Sequence, residues 1–315
     1  SPEVPGSTFK LASIMAALED NKIGIQDKVN AFGVYQFNGG KLSDSNHGLG
    51  YGTITLQKAF EKSSNVIAAV INKLYRSDPD MFMKRLEEFG LLEPMGIDLE
   101  GEGAPQFHRP GETLSSPLSI PWMSIGYEYR QTPLQTLAFY NAVANNGKFL
   151  KPLFVQDIRR RGKVIKHFKP VVLKERIASQ KTIDIMKRCL EGVMTVGTGS
   201  DLKSSQFKIA GKTGTTQHNA DGWFIGLTPE LVAGCWVGGE DRSIHFNSIT
   251  EGQGASMALP IWGKFFVKVY ADKTIKLSKA DFTKPKNLDP NLEMDCSKYD
   301  DQTLEGNTEE NEFDN

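Results

Sequence analysis

The sequence predicts an α+β domain in which a mainly antiparallel sheet is flanked by helices. Two observations carry that class. Up to about residue 195 the apolar residues recur at helical spacing, in segments separated by Gly- and Pro-rich stretches. After about residue 207 the pattern becomes three short β-rich runs, FKIAGKTGT, GWFIGLT and LVAGCWVG, divided by turn residues that include Thr228-Pro229-Glu230. That reads as an antiparallel meander, and helices grouped around one meander make a single mixed domain.

Residues 8–19 read as a buried helix, because Phe9, Leu11, Ile14, Met15 and Leu18, with three alanines, leave it hardly any polar face. FNGGKLSDSNHGLGYG reads as a loop with short strands. Residues 55–75 keep helical spacing on both sides of a polar Ser63-Ser64-Asn65. DPDMFMKRLEEFG opens on an aspartate cap and closes on glycine, a short helix. Residues 93–131, rich in Gly and Pro, are expected to wind over the surface. A helix over 132–147 has Pro133 in its first turn and Gly147 at its end. VQDIRRRGKVIKHFKP predicts a hairpin turning at Gly162, with alternation placing its charges on one solvated face. Residues 181–195 form an amphipathic helix, and a last helix over about 256–270 is expected to face the core with Ile261, Phe265, Phe266 and Val269.

The 315 residues, 39% hydrophobic and 24% charged, suit a soluble globular chain with a substantial core. The net charge of −1 hides an asymmetry: residues 291–315 hold nine acids and one base, leaving 1–290 with 36 basic and 29 acidic residues, a net +7. The organisation expected is a domain over 1–275 and an acidic, disordered tail over 276–315. The basic hairpin is read as solvated, so no nucleic-acid partner is expected. Cys189, Cys235 and Cys296 form no CxxC pair, hence no metal site and no disulfide framework. Cys235 reads as a small core residue. No stretch reaches the roughly 20 apolar residues of a membrane helix, and no signal peptide opens the chain. Starting six residues before Ser7 without a methionine, the sequence reads as a piece of something longer.

The chemistry centres on Ser7 and Lys10. Ser7 follows Pro5-Gly6 at a helix start, where free backbone N–H groups favour developing negative charge. Lys10 lies one turn later on the same face. An amine held in an apolar wall loses proton affinity, and a neutral amine beside a hydroxyl is a general base for a serine nucleophile. From this stretch alone the alternative stands: Ser7 as a cap and Lys10 reaching to solvent. A second S-x-x-K, Ser205–Lys208, falls at a predicted strand and carries no such setting. Ser63-Ser64-Asn65 alone reads equally as a helix cap, and Lys212-Thr213-Gly214-Thr215 alone as an edge strand with a bulge.

Together, in this order, the three motifs resemble the S-x-x-K, S-x-N and K-T-G set of penicillin-binding proteins and serine β-lactamases. GSTFKL, GIDLEGE, MSIGYEYRQTPLQT, AGKTGTTQ and DGWFIGLTPELVAGCWVGGED extend the likeness over about residues 1–270. The chain resembles the transpeptidase domain of a high-molecular-weight penicillin-binding protein. Its middle part is similar to the monofunctional enzymes of that family, and its part from AGKTGTTQ onward to the bifunctional ones.

The resemblance implies a serine D-Ala-D-Ala transpeptidase that cross-links peptidoglycan stem peptides and is acylated by β-lactams. It implies Ser7 as nucleophile, Lys10 as base, Ser63 as proton relay, Asn65 on the substrate amide and Lys212 as a positive group near Ser63. Thr213 and Thr215 would receive the donor carboxylate, and Gly214 would let the acyl chain approach. The backbone N–H groups of Ser7 and Thr215 would form the oxyanion hole. No metal or cofactor is implied. The implied place is the periplasmic face of the bacterial cytoplasmic membrane, reached through an anchor outside this chain and shared with other cell-wall synthesis proteins.

Two rival functions fit the same residues. A serine β-lactamase would need a water-activating base, either a modified lysine or an acid, for which Glu100, Glu102 and Glu112 are conceivable. A penicillin sensor or peptidoglycan-binding module would keep Ser7 and Lys10. The family's sheet also has strands ahead of the serine helix. Their lack here is expected to leave LVAGCWVG as an exposed edge.

Overall fold

The computed structural model describes residues 1–112, 116–202 and 207–282. Cys296, Ser205 and the acidic residues of 291–315 therefore lie outside the described residues.

A 3-10 turn, Gly6–Phe9, runs straight into α1 (Lys10–Glu19). Four short strands follow, β1 (Lys28–Ala31), β2 (Val34–Phe37), β3 (Gly40–Ser43) and β4 (Gly52–Thr55). Next come α2 (Leu56–Glu61), α3 (Val66–Tyr75) and α4 (Pro79–Glu88). The middle of the chain gives β5 (Gln106–Phe107), α5 (Ser119–Ser124), β6 (Tyr129–Arg130) and α6 (Pro133–Ala144). Beyond them lie β7 (Phe149–Leu150), β8 (Asp157–Arg160), β9 (Lys163–His167), β10 (Val172–Lys174) and α7 (Gln180–Thr195). The chain ends its described part with β11 (Ala210–Thr215), β12 (Asp221–Leu227), β13 (Val232–Gly238), α8 (Ile249–Gly252), α9 (Gly254–Met257) and α10 (Leu259–Ala271).

The helix starts follow from their caps. The Thr55 hydroxyl accepts from Lys58 N–H, Asp78 from Met81 N–H and Ser179 from Thr182 N–H. Thr132 and Gln135 form a reciprocal capping box ahead of α6. In α1 every residue from Lys10 to Ala17 is buried, and sinking Leu11, Ile14 and Met15 contributes about 1.5–3 kcal/mol each.

The meander forms as expected. β11, β12 and β13 pair antiparallel in that order, with Lys212 opposite Ile225 and Phe224 opposite Cys235. Every residue of β12 is buried, so helices cover both faces of the sheet. On one face the Trp262 ring of α10 meets Phe224 edge-on at 5.2 Å and stacks on Phe266. On the other, Leu137 of α6 lies beside Gly234 and Ile225.

Three expectations need correction. Residues 93–131 do not simply skirt the surface: Ile120, Met123, Ile125 and Tyr129 enter the core, with the Tyr129 hydroxyl donating to Leu91 O. The last helix faces inward through Leu259, Trp262, Gly263 and Phe266, while Ile261 and Phe265 are exposed. Trp262 and Phe266, stacked one turn apart and with Trp262 edge-on to Phe224, set the inward face, so of the expected stripe Phe266 is buried in the core. The basic hairpin does turn at Arg161-Gly162, both at positive φ as a two-residue loop requires. Its charges are not sorted onto one face, because the register shifts between Ile158 and Arg159 and all of β9 is exposed.

Candidate active site

The serine turn is tightly clamped. Gly6 sits at φ +52°, and a Cβ there would lie 2.8 Å from Thr215 O. The Thr8 hydroxyl donates to Pro5 O, Tyr140 OH donates to Thr8 O at 2.8 Å, and Trp223 Nε1 donates to Val4 O at 3.0 Å. The sequence pattern puts the serine at the start of a regular α-helix. It stands instead in the 3-10 turn, where residues three apart eclipse and Ser7 and Lys10 share one side.

Lys10 is fully buried. Its Nζ donates to Ser63 O at 2.6 Å and to Asn65 Oδ1 at 2.9 Å, with Ser63 Oγ at 3.4 Å. Burial pushes this amine down to about 7, against the opposing pull of the Asp44 carboxylate. Lys212, also fully buried, reaches Ser63 Oγ from the other side at 2.8 Å and Thr213 O at 3.0 Å. Burial first, then the nearby Lys10 charge, holds Lys212 well below its ordinary value. Ser63 hangs between the two amines at φ +55°, a left-handed conformation that costs a non-glycine residue about 1–3 kcal/mol.

The structure thus brings Lys10, Ser63, Asn65 and Lys212 into one hydrogen-bonded cluster one turn from Ser7. The Ser7 hydroxyl itself is half-buried and makes no hydrogen bond among the described residues. Both ends of the Asn65 side chain are held, Oδ1 by Lys10 and Nδ2 by Ser43 O, each with capacity for one more hydrogen bond. The Thr213 hydroxyl pairs with that of Thr198 at 2.5 Å, and the Thr215 hydroxyl accepts from Gly254 N–H at 3.0 Å. Gly214 is also needed for packing. A Cβ there would meet Thr8 and Trp223 side chains at 2.9 Å, so glycine lets β11 lie flat against the serine turn.

Sequence reasoning missed Thr198 and Asp44. Lys62 Nζ donates to Val196 O, and Thr198 N–H to Glu61 O, which brings Thr198 to the rim of β11. Neither residue has a periodic or motif signal. Of the acids proposed for water activation, Glu102 clamps the Met95 and Ile97 N–H groups with its two oxygens. Beside the serine turn an open groove of about 920 Å³ is lined by Val4, Trp122, Tyr127, Arg130, Gln217 and Arg242.

A clamped serine turn, two buried amines and a β-strand rim on an antiparallel sheet make an arrangement that can activate a hydroxyl for acyl chemistry. The family described as penicillin binding protein transpeptidase domain matches residues 1–233, and the chain belongs to that family. Among curated relatives it is 28% identical over 277 residues to stage V sporulation protein D of Bacillus subtilis, covering 82% of this chain and 41% of that one. It is 30% identical over 179 residues to penicillin-binding protein 1A of Aquifex aeolicus, covering 56% of this chain and 23% of that one. The chain therefore spans less than half the length of these relatives. In fold it is similar to penicillin-binding protein 3 of Mycobacterium tuberculosis, with a TM-score of 0.71 at 23% identity over 90% of this chain and 66% of that one. It is also similar to the D,D-transpeptidase domain of a peptidoglycan glycosyltransferase from Eggerthella lenta, with a TM-score of 0.63 at 24% identity over 85% of this chain and 66% of that one. Among the described residues no helix is long and apolar enough to cross a membrane.

Proposed function

We propose that this domain is a serine D,D-transpeptidase that cross-links peptidoglycan stem peptides and is acylated by β-lactams. The observation that carries the reading is the meeting of Lys10, Ser63 and Lys212 around one hydroxyl, one turn from Ser7. Ser7 Oγ attacks the carbonyl of the penultimate D-alanine while its proton passes to the neutral Lys10 amine. Ser63 relays that proton to the departing D-alanine nitrogen, and the ester on Ser7 remains. The amine of a second stem then attacks the ester, gives its proton back along the same route and leaves the cross-link. The N–H groups of Ser7 and Thr215 hold the oxyanion, a role worth about 10²–10³ in rate per donor. Thr213 and Thr215 receive the donor carboxylate, and Lys212 adds positive charge beside it. The full-length protein works in the bacterial cell envelope, at the periplasmic face of the cytoplasmic membrane, with other cell-wall synthesis proteins.

The direct test is labelling with a fluorescent penicillin. The folded parent labels stoichiometrically and stays labelled, whereas Ser7→Ala and Lys10→Ala do not. A folded parent that never labels overturns the reading, and steady turnover of a chromogenic cephalosporin replaces it with a β-lactamase.

A further inference from the structure

Asp44 follows β3 and is buried, yet it belongs to none of the three motifs. A buried carboxylate is costly unless it is paired or fully hydrogen-bonded, so its partners show what it is for. Its oxygens accept from Ser64 Oγ at 2.9 Å, from Tyr35 OH at 2.9 Å and from the Asn65 backbone N–H. The neighbouring Ser43 carbonyl takes the Asn65 side-chain amide at 2.8 Å. The 43–44 segment therefore grips the Ser63–Asn65 turn from behind while Lys10 grips it from the front, through Ser63 O and Asn65 Oδ1.

Charge gives the second half of the argument. Two fully buried lysines share one serine hydroxyl. Two positive charges in so dry a space repel strongly, and two neutral amines would leave no positive charge for the donor carboxylate. One buried anion nearby supports one retained proton. The titratable groups that act on each other here are Lys10, Lys212, Asp44, Tyr35 and Tyr51. Burial raises both tyrosines, Tyr35 to about 12, and the Asp44 carboxylate is the group whose pull opposes the burial of Lys10.

We infer that Asp44 is a positioning residue of the acylation site, fixing the Ser63–Asn65 turn and supplying the charge that keeps one proton in the Lys10–Ser63–Lys212 cluster. It touches neither substrate nor Ser7; it acts through Asn65 and through its field. The inference rests on the transpeptidase reading above.

The test is the pH profile of penicillin acylation. Asp44→Asn keeps the shape and its acceptor for Asn65 N–H but removes the charge. The rising limb of its profile, set by Lys10, moves to lower pH, by about one unit for a unit charge several ångströms away, and Asp44→Glu restores it. Tyr35→Phe removes one donor and leaves the charge, so the rate falls while that limb stays in place. A rate loss in Asp44→Asn without a displaced limb overturns the electrostatic role. Should Asp44→Asn fail to fold, a displaced limb in Tyr35→Phe overturns it equally. A parent that fails to acylate at any pH sinks the transpeptidase reading instead, which keeps the two failures apart.

Discussion

The Lys212 amine stands 2.8 Å from the Ser63 hydroxyl across 149 residues of chain. Lys10 meets the same hydroxyl at 3.4 Å from the opposite side, so one oxygen is the bridge between the two amines. Ser63→Ala removes that bridge and keeps the backbone carbonyl to which Lys10 donates. Acylation by penicillin is expected to fall by about 10²–10⁴ with the fold intact. Ser63→Gly, free of the left-handed strain at φ +55°, gains about 1 kcal/mol in stability and stays as slow. Stopped-flow acylation beside a thermal melt checks both; an unchanged rate in either variant removes Ser63 from the proton path.

The acylation rate should track the Lys10 lone pair. Burial sets that amine at about 7, so the rate climbs as pH rises through 7 and drops about tenfold for each unit below it. Stability follows the same group. The folded value lies below the unfolded 10.5, so between about 7 and 10.5 the unfolded chain binds more protons. Stability therefore rises with pH across that window, and Lys212, displaced in the same direction, adds to the slope. Lys10→Met should be more stable at pH 7 by about 1–4 kcal/mol, with a flatter slope and no acylation. Urea titrations at pH 7 and 9.5 decide it. A less stable Lys10→Met would mean that the amine's hydrogen bonds outweigh its burial.

Much of this site was legible because its residues advertise themselves locally. Lys10 was conspicuous as a cation in an apolar helix, and Lys212-Thr213-Gly214 as a basic break in a β-run. Helices α4 and α6 lie where their end signals place them, and α7 where its apolar stripe does. Asp44 and Thr198 were invisible for the opposite reason. Asp44 sits in a turn-rich stretch where an acid ordinarily faces water, and only the return of the chain at Ser64 and Asn65 buries it. Thr198 meets Thr213 through contacts made by α2 and α7, not by sequence spacing. The same holds for 93–131, whose apolar residues have no period and whose burial depends on α3 and the β2–β3 hairpin, as the edge-on Phe37–Trp122 pair illustrates. Local pattern names the parts; long-range pairing decides which of them are inside.

The approach of β11 to the serine turn leaves no room for a methyl group. At Gly6 a Cβ would lie 2.8 Å from Thr215 O while φ stays at +52°. Gly6→Ala therefore carries two penalties, a strained backbone and a displaced strand, together about 1–3 kcal/mol of stability. Because Ser7 and Thr215 are the proposed oxyanion donors, displacing the strand lowers the acylation rate more than substrate affinity. Rate and affinity separated by varying the penicillin concentration check this, and a variant that loses affinity alone would place the damage outside the oxyanion hole.

β13 pairs with β12 on one side and, among the described residues, with no strand on the other. Its residues Val232, Trp236 and Val237 are only partly covered, so a row of backbone donors and acceptors lies open beside apolar side chains. Such an edge templates pairing between copies. The chain on its own is expected to scatter light on heating, with a midpoint that falls as concentration rises. A lysine on the strand is a natural block, because its charge must be buried if a second β13 docks. Val237→Lys should suppress the scattering while leaving penicillin acylation near the parent's, since Val237 lies on β13 and not on the serine-facing strand β11. A parent that melts reversibly, as one cooperative transition independent of concentration, would show that helices α9 and α10 cover the edge well enough without a further strand.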